Sequence, residues 1–581
     1  MRLLGLLSAQ GKALARRLVS LPLRQLPNLR GRPLERLLIA PQDIRTSDPT
    51  IAADIYAGYF SFEGKIVNTH GRSPFEIEPL SPAWARALAG FGWLRHLRAA
   101  DTALARANAR ALVDDFLTLQ GKPRPGPAWE VRPAARRMLA WLSQSPIILE
   151  NADRAFYRRF MKGLTRLQIF LERKLTEGIV GEDRLLAVIA LAELGLCAEG
   201  ANKVSARGTR LLTEELERQI LPDGGHISRN PRILIDLLLD LLPLRQAYAA
   251  RGFQTPAQLL NVIDRMMPML RLFRHGDGTL ALFNGMGVTA PELLATVLAY
   301  DDARAQALTN APYSGYQRIE EQDTVFIMDV GRPPPQGFSQ RAHAGCLSFE
   351  FSIGAHHLVV NCGSPEANRP LAREAARATA AHSTLVIDDS SSCRFTTNAG
   401  LWRWLGTEIL SGPEKVEVKR QSRAEGVEII ASHDGYAPRF GWLHERRVTL
   451  SRDGRQLAGI DSLQPAVTEK APEPRPFVLR FHIHPQVRVR RLLSGTGVLC
   501  LLPNGRRWLF EAKSVAIDLE ESVFYALPDG PRKSAQIVVQ DLAHEKLEIA
   551  WRFRRIERKP RGAGSAETMQ MGEPQPGTEN A

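Results

Sequence analysis

The hydrophobic pattern changes its period once along this chain, and that change constrains the fold more than any other feature. Between residues 84 and 308, apolar residues recur at spacings of three and four, and Pro or Gly separates many of the segments. From Gln317 onward the period is two, with turn signals such as Asn504-Gly505. The first pattern is typical of amphipathic helices and the second of strands. The sequence therefore predicts a helical domain followed by a sheet domain, which excludes a fold of alternating strands and helices.

The helical half divides into nine segments joined by short connections. We predict helices at residues 84–98, 100–118, 134–144, 152–177, 182–198, 203–220, 231–250, 256–272 and 291–308. A series of this kind fits an α/α barrel or toroid, or a helical solenoid.

The second half contains many short apolar segments at regular spacing. We predict strands at residues 325–328, 347–353, 358–360, 384–387, 416–418, 427–431, 448–450, 477–483, 498–502, 508–511, 515–519, 535–539 and 547–553. This pattern predicts an antiparallel sandwich. The predicted domains are a basic amphipathic segment (1–46), the helical domain (47–310), the sandwich (311–558) and a disordered tail rich in Gly, Pro and Glu (559–581).

Charge and cysteine content narrow the function classes. The chain has 581 residues and a net charge of +14, which predicts an anionic partner: nucleic acid, anionic lipid or an acidic polysaccharide. Nucleic acid is not expected, because no motif interleaves aromatic and basic residues for base stacking. The five cysteines form no CxxC pair, which excludes a zinc ribbon and disfavours a disulfide framework.

The first 34 residues carry seven basic residues and no acidic one. Their apolar stretch, residues 3–9, is short for a signal peptide. We predict a basic amphipathic helix that docks on the body or makes a peripheral membrane contact. No run of about 18 apolar residues exists, so the sequence predicts no membrane-spanning helix.

One polar loop between two helices stands out as a candidate site. The segment 223–226 reads Asp-Gly-Gly-His, and Asn230-Pro231 then begins a Leu-rich helix, with Asn230 suited to the cap and Pro231 to the first turn. His226 and Arg229 therefore lie at a helix N-terminus, where backbone N–H groups favour an anion. The alternative is that Asn230 only caps the helix and His226 only bonds a neighbouring carbonyl.

Other polar loops could complete this site. His275 and Asn284 lie in two turns between helices and could face the same groove, or could only shape tight turns. In the sheet domain, His343 and His382 each enter a strand near its start. Two such imidazoles on adjacent strands could share a metal, or each could bond loop backbone.

Taken together, these segments resemble the heparinase II/III family of polysaccharide lyases. The resemblance is carried by residues 314–384, 480–485 and 223–226. It implies an α+β multidomain protein, in which an N-terminal α/α toroid (an incomplete barrel) is followed by a C-terminal antiparallel β-sandwich. It also implies cleavage of an anionic, uronic-acid-containing glycan by β-elimination, and hence an anionic polysaccharide as partner. That reaction needs neutralisation of the uronate carboxylate, a base for the C5 proton and an acid for the leaving oxygen.

The resemblance also implies roles for particular residues. Catalytic roles fall to three of them: His226, Arg229 and His343. Substrate contacts fall to four: Asn230, His275, Asn284 and Arg341. Some family members bind a structural zinc ion at positions that match His343, Asn361 and His382, with Asn361 standing where an anionic ligand is expected.

Several positions depart from the family pattern. Arg341 stands where active members often have His, and Arg229 where some have an acidic residue. No tyrosine lies between Tyr248 and Tyr300, where the catalytic one is expected, which leaves Tyr313, Tyr316 or Tyr56 as substitutes. The first hypothesis is therefore a lyase, and the second a non-catalytic glycan-binding or cell-envelope assembly protein. Either would place the chain in the cell envelope or periplasm, with a cytoplasmic or membrane-peripheral location as the alternative.

Overall fold

The computed structural model describes residues 34–301, 306–366, 369–396, 407–467, 472–513, 515–544 and 547–557. The predicted tail, and most of the predicted basic N-terminal segment with its membrane contact, lie outside these residues. Within them, no helix is both long enough and apolar enough to cross a membrane.

The N-terminal half is helical, as the period predicted. Its helices are α1 Pro49–Tyr56, α2 Pro82–Ala89, α3 Leu94–Ala100, α4 Ala103–Leu119, α5 Val131–Ser143, α6 Ser145–Leu149, α7 Arg154–Thr176, α8 Glu182–Cys197, α9 Asn202–Gln219, α10 Pro231–Ala250, α11 Ala257–Leu272 and α12 Pro291–Ala299. A small hairpin, β1 Tyr59–Phe62 with β2 Lys65–Asn68, precedes α2.

Two predicted helices differ from the observed ones. The segment 84–98 is split into α2 and α3, because Phe91 adopts a left-handed backbone with φ 57° between two glycines. The break lets the aromatic ring of Phe91 pack, fully buried, against Phe116 and Trp141. The last predicted helix, 291–308, ends at Ala299. The spacing of apolar residues alone predicted neither the break at Phe91 nor the end at Ala299.

The C-terminal half is built from antiparallel strands. They are β3 Asn310–Ala311, β4 Tyr316–Glu321, β5 Thr324–Asp329, β6 Phe349–Ile353, β7 His356–Val360, β8 Leu385–Ile387, β9 Arg394–Phe395, β10 Ile409–Ser411, β11 Val416–Ser422, β12 Gly426–His433, β13 Trp442–Ser451, β14 Gln456–Pro465, β15 Arg475–Ile483, β16 Arg488–Arg491, β17 Gly497–Leu501, β18 Arg507–Ala512, β19 Ile517–Phe524, β20 Arg532–Ala543 and β21 Leu547–Ile556. Two short helices, α13 Pro370–Arg377 and α14 Ala437–Phe440, interrupt them.

Most of these strands form two large sheets that pack face to face, while β9 and β10 pair separately. One has the order β11-β12-β13-β14-β21-β18-β17-β16, and the other the order β19-β20-β15-β7-β6-β5-β4-β3, with β8 also paired to β15. Their shared core includes Phe349 of one sheet stacked on Trp551 of the other, with ring centroids 5.6 Å apart. Interdigitating side chains of this kind are what holds a β-sandwich together.

The second sheet also closes the core of the helical domain. Tyr316, Val325 and Ile327 belong to its strands, yet they are buried in the cluster formed by the helices. The ring of Tyr316 meets Phe273, just after α11, edge to face at 4.7 Å. The two domains therefore share an apolar boundary. The predicted fold class, a helical toroid without a closed barrel followed by an antiparallel sandwich, is confirmed.

Candidate functional site

A cleft of about 420 Å³ opens among helices α2, α3, α5, α8 and α10 of the helical domain. Six arginines contribute to its lining: Arg45, Arg86, Arg95, Arg132, Arg136 and Arg341. Arg341 comes from the sheet domain, so the cleft lies where the two domains face each other. Guanidinium groups match the planar geometry of carboxylate and sulfate groups, so their clustering is chemically suited to an anion.

The arginines differ in how far their charge is already neutralised. Arg45 and Arg136 both donate to Oδ1 of the buried Asp240, each at 2.6 Å. Arg95 instead donates to the backbone oxygens of Thr46 and Gly92. In the described part of the chain, neither Arg95 nor Arg341 has a carboxylate within ion-pair distance. These two cations are therefore the ones available to a ligand.

Arg86 and Arg132 also line the cleft but pair with acidic residues. Arg86 pairs with Glu130 at 2.6 Å, and Arg132 pairs with Glu182 at 2.9 Å. Burial raises the pKa of Glu182, but Arg341 and Arg132 outweigh this effect and hold that pKa below its usual value. Arg341 thus acts electrostatically at this edge of the cleft while remaining solvent-exposed.

One carboxyl group in the cleft has a raised pKa. Glu193, on α8, is only 4% exposed, and burial raises its pKa well above the ordinary value, with Asp240 and Asp43 acting in the same direction and Arg45 and Arg136 opposing them. A raised pKa favours the neutral form of the carboxyl group, which can donate a hydrogen bond. Sequence reasoning missed Glu193 and Asp240. The available signal was an acidic residue within an apolar stretch of each helix, Glu193 on α8 and Asp240 on α10.

His226 lies outside this cleft, in the junction between α9 and α10. Its side chain is buried, and Nε2 lies 3.1 Å from Oε1 of Gln219. The NH₂ group of Gln219 donates to Glu215 and Gly181, so Oε1 is free to accept and Nε2 of His226 is the donor. Nδ1 accepts from the hydroxyl and the backbone N–H of Ser228. Burial lowers the pKa of His226 to about 4. Both ring nitrogens of the neutral imidazole are thus engaged within the protein.

Arg229 is also committed to internal contacts. It has a left-handed backbone, with φ 61°, and its guanidinium pairs with Asp329 at 2.5 Å, with side-chain exposures of 7% and 3%. It also donates to the backbone oxygens of Ser314, Gly315 and Arg332 and lies over the ring of Tyr316. Arg229 therefore joins the helical domain to the start of the sheet domain. In this arrangement its guanidinium does not face the cleft.

Asn284 extends the same network. Its amide donates to the hydroxyl of Tyr316 at 2.7 Å and to Asp329 at 3.0 Å, and its oxygen accepts the backbone N–H of His343. The Tyr316 hydroxyl in turn donates to the backbone oxygen of Arg229 at 2.6 Å. Burial raises the pKa of Tyr316, which keeps the phenol protonated.

Asn230 acts as the predicted cap of α10, with its side chain accepting the backbone N–H of Arg232. Its Nδ2 has no partner among the residues described. Gly285 separates Asn230 from Arg341: a Cβ at this glycine would lie 2.8 Å from the backbone oxygen of Arg341 and 3.1 Å from Nδ2 of Asn230. The structure thus brings Asn230, Asn284, Arg341 and His343 into one neighbourhood. Their role in a shared site stays a prediction.

The residues that match the family's zinc ligands, His343, Asn361 and His382, make hydrogen bonds within the protein. Nδ1 of His343 and Nε2 of His382 are hydrogen-bonded to each other at 3.0 Å, and burial lowers the pKa of both rings. Oδ1 of Asn361 accepts the N–H of Ser383, and its Nδ2 has no partner in the described part of the chain. Two imidazoles and a committed neutral amide fit zinc poorly. Zinc at these three residues stays a prediction.

His275 lies apart from the other predicted site residues. It is buried against the sheet, with Nδ1 at 2.8 Å from the hydroxyl of Ser352 and Nε2 at 3.1 Å from Glu350. Of the predicted substitute tyrosines, Tyr313 is exposed and Tyr316 is buried. None of the described residues that line the cleft is a tyrosine or a histidine.

Fold and sequence together define the class of protein. Residues 303–552 match the family described as heparinase II/III-like, C-terminal. FtsZ-localized protein C of Caulobacter vibrioides is 31% identical over 547 residues, which cover 90% of this chain and 91% of that protein. The chain therefore belongs to the heparinase II/III-like family.

Solved structures with this fold include heparinase III and a heparan sulfate lyase. The superposition with a crystal structure of heparinase III covers 97% of this chain and 94% of the heparinase III chain, with a TM-score of 0.70 and 14% identity. The heparan sulfate lyase HepC from Pedobacter heparinus covers 95% and 88% at a TM-score of 0.60 and 13% identity. At such low identity the likeness is one of fold.

Proposed function

We propose that this polysaccharide lyase-like protein binds an anionic, uronic-acid-containing glycan in the arginine-lined cleft. The observation that carries the proposal is the pair Arg95 and Arg341, two cations of the cleft that make no ion pair with a carboxylate among the described residues. Glu193, whose pKa is raised by burial, lines the same cleft. A uronate carboxylate would supply the missing negative charge through charge-assisted hydrogen bonds. Because the cleft opens to solvent between the domains, a chain longer than one sugar could lie along it.

We propose further that binding occurs without β-elimination at His226. Elimination needs a group that removes the C5 proton within hydrogen-bond reach of the sugar. The imidazole of His226 is buried, and both of its nitrogens are occupied by Gln219 and Ser228. Nδ1 of His343 is engaged by a hydrogen bond with His382. The non-catalytic alternative is therefore better supported than the lyase hypothesis, which remains the other outcome of the experiment.

The experiment measures binding and turnover in parallel. Heparan sulfate, alginate and polygalacturonate are titrated against the full chain, and ultraviolet absorbance monitors the unsaturated uronate that a lyase releases. We expect saturable binding that weakens with added salt. Arg341→Ala is expected to lower the affinity about 10-fold or more, since a hydrogen bond to a charged group contributes about 1.5–3 kcal/mol. Arg341→Lys keeps the charge and should lose less.

A matched control separates the cleft from general basicity. Arg488 is exposed on β16, in the sheet that does not face the helical domain, and Arg488→Ala removes the same charge. Equal losses for Arg341→Ala and Arg488→Ala would overturn the cleft assignment. Release of unsaturated product by the wild type would overturn the non-catalytic part and favour the lyase.

A second function is favoured by the relative from Caulobacter vibrioides, whose name describes it as FtsZ-localized. The match runs over nine-tenths of both chains, so it includes the helical domain and the sandwich alike. We propose that this chain also localises with FtsZ, as part of cell-envelope assembly at the division site. A fluorescent fusion imaged beside labelled FtsZ tests the proposal: coincident bands support it, and a uniform or peripheral distribution contradicts it.

A further inference from the structure

A cluster of three metal-binding side chains lies where the helical domain meets the sheet. His275 belongs to the turn after α11, while Glu350 and His357 belong to the paired strands β6 and β7. Their ligand atoms all lie within 4.8 Å of one another. The side chains of His275 and Glu350 are fully buried, and that of His357 is 10% exposed. The cluster therefore joins two parts of the chain that are about 75 residues apart.

Each imidazole is held through one nitrogen by a separate polar group. Nδ1 of His275 lies 2.8 Å from the hydroxyl of Ser352, which leaves Nε2 directed at Glu350. Nε2 of His357 donates to the carboxylate of Asp277 at 3.1 Å. Histidines that bind a metal generally hold their second nitrogen in this way, through a carboxylate, carbonyl or other polar group that fixes the ring and its tautomer.

The other nitrogen of His357 is the independent sign of a ligand. Nδ1 is buried and has no hydrogen-bond partner in the described part of the chain. In the neutral ring, Nε2 carries the proton donated to Asp277, so Nδ1 presents a lone pair. A buried polar atom without a partner carries a free-energy penalty, and a bound cation would remove it. The rings of His275 and His357 lie close together, with centroids 4.5 Å apart.

We propose that His275, Glu350 and His357 bind a zinc ion. Two imidazoles and one carboxylate are a donor set that suits Zn²⁺, whereas Ca²⁺ and Mg²⁺ prefer oxygen ligands. The ligands are Nε2 of His275, Oε2 of Glu350 and Nδ1 of His357, and water completes the coordination. Oε1 of Glu350 accepts the backbone N–H of Asn361, which orients the carboxylate. The ion would tie the turn after α11 to the sheet.

This site is distinct from the one that the family resemblance implies. There, His343 and His382 are bonded to each other, and the third residue is the neutral Asn361. Here, the third residue is a carboxylate, and Nδ1 of His357 has no partner among the described residues. Variants at the two sites therefore separate the possibilities.

The experiment measures zinc in the full-length protein. The chain is stripped with a chelator and titrated with Zn²⁺ against a chromophoric indicator, and metal content is measured after dialysis. We expect one equivalent per chain for the wild type and for His382→Ala. His357→Ala and Glu350→Gln should each weaken binding by more than about 100-fold. Asp277→Asn, which replaces the carboxylate that accepts from Nε2 of His357, should weaken it about 10–100-fold.

Thermal unfolding with and without zinc gives a second readout. A bound ion that is absent from the unfolded chain raises the unfolding temperature. The rise should occur in the wild type and in His382→Ala, and should be absent in His357→Ala. If His357→Ala or Glu350→Gln does not fold, the same measurements are made on Asp277→Asn, because the side chain of Asp277 is 27% exposed. Absence of zinc binding by the wild type, or its loss in His382→Ala with retention in Asp277→Asn, would overturn the proposal.

Discussion

The buried pair of Arg229 and Asp329 should be a main support of the boundary between the two domains. Asp329→Ala would leave the Arg229 guanidinium buried without its counter-charge, although its contacts to three backbone oxygens would remain. Breaking a buried ion pair from one side costs about 3–5 kcal/mol. The backbone N–H of Gly331 and the amide of Asn284 also lose an acceptor. We therefore expect the free energy of unfolding to fall by at least about 3 kcal/mol.

Urea denaturation followed by tryptophan fluorescence measures this loss. The matched control is Asp114→Ala, which breaks the exposed pair of Asp114 and Arg159 on the helical surface. That variant should change stability far less, since exposed ion pairs contribute little. The double variant Arg229→Met with Asp329→Leu should recover part of the loss, because no unpaired charge then remains buried. Equal losses for Asp329→Ala and Asp114→Ala would refute the reasoning.

Two further outcomes follow from burial and backbone geometry. Burial lowers the pKa of His226 to about 4, below the value of about 6.5 in an unfolded chain. The free energy of unfolding therefore decreases as pH falls from about 6.5 to about 4, and the loss reaches roughly 3 kcal/mol at pH 4. Stability measured against pH should fall less steeply for His226→Gln, and an unchanged slope would contradict this. Gly224→Ala should destabilise more than Gly505→Ala. Both glycines have a positive φ, but only at Gly224 would the added Cβ lie 2.0 Å from a backbone oxygen, that of Arg265, and equal losses in thermal unfolding would count against it.

Part of the candidate site could be predicted because the signal is local. Asn230 followed by Pro231 predicts a capped helix start, and the structure has both in these positions. Hydrogen bonds between residues a few positions apart depend little on the rest of the fold. The roles of Asn284, Arg341 and His343 came from the family resemblance and stay predictions, although the structure brings these residues close together.

The partners of charged residues could not be predicted in this way. Arg229 looked suited to a substrate carboxylate, but a carboxylate of the chain itself, Asp329, lies against it. Strand β14 was missed for a related reason. Its Asp461 interrupts the apolar pattern, yet it is buried because Arg446 and His444 bind it. A pattern of hydrophobicity treats an acidic residue as exposed and carries no information about a distant cation.

The sequence by itself determined the division into a helical half and a sheet half, because apolar periodicity is a property of neighbouring residues. Only the tertiary structure decided which charges are paired and which remain available. Arg45 and Arg136 are bound to Asp240, whereas Arg95 and Arg341 remain open in the same cleft. Packing of the two domains fixes these distances, and Coulomb interactions and desolvation then decide each group's charge and role.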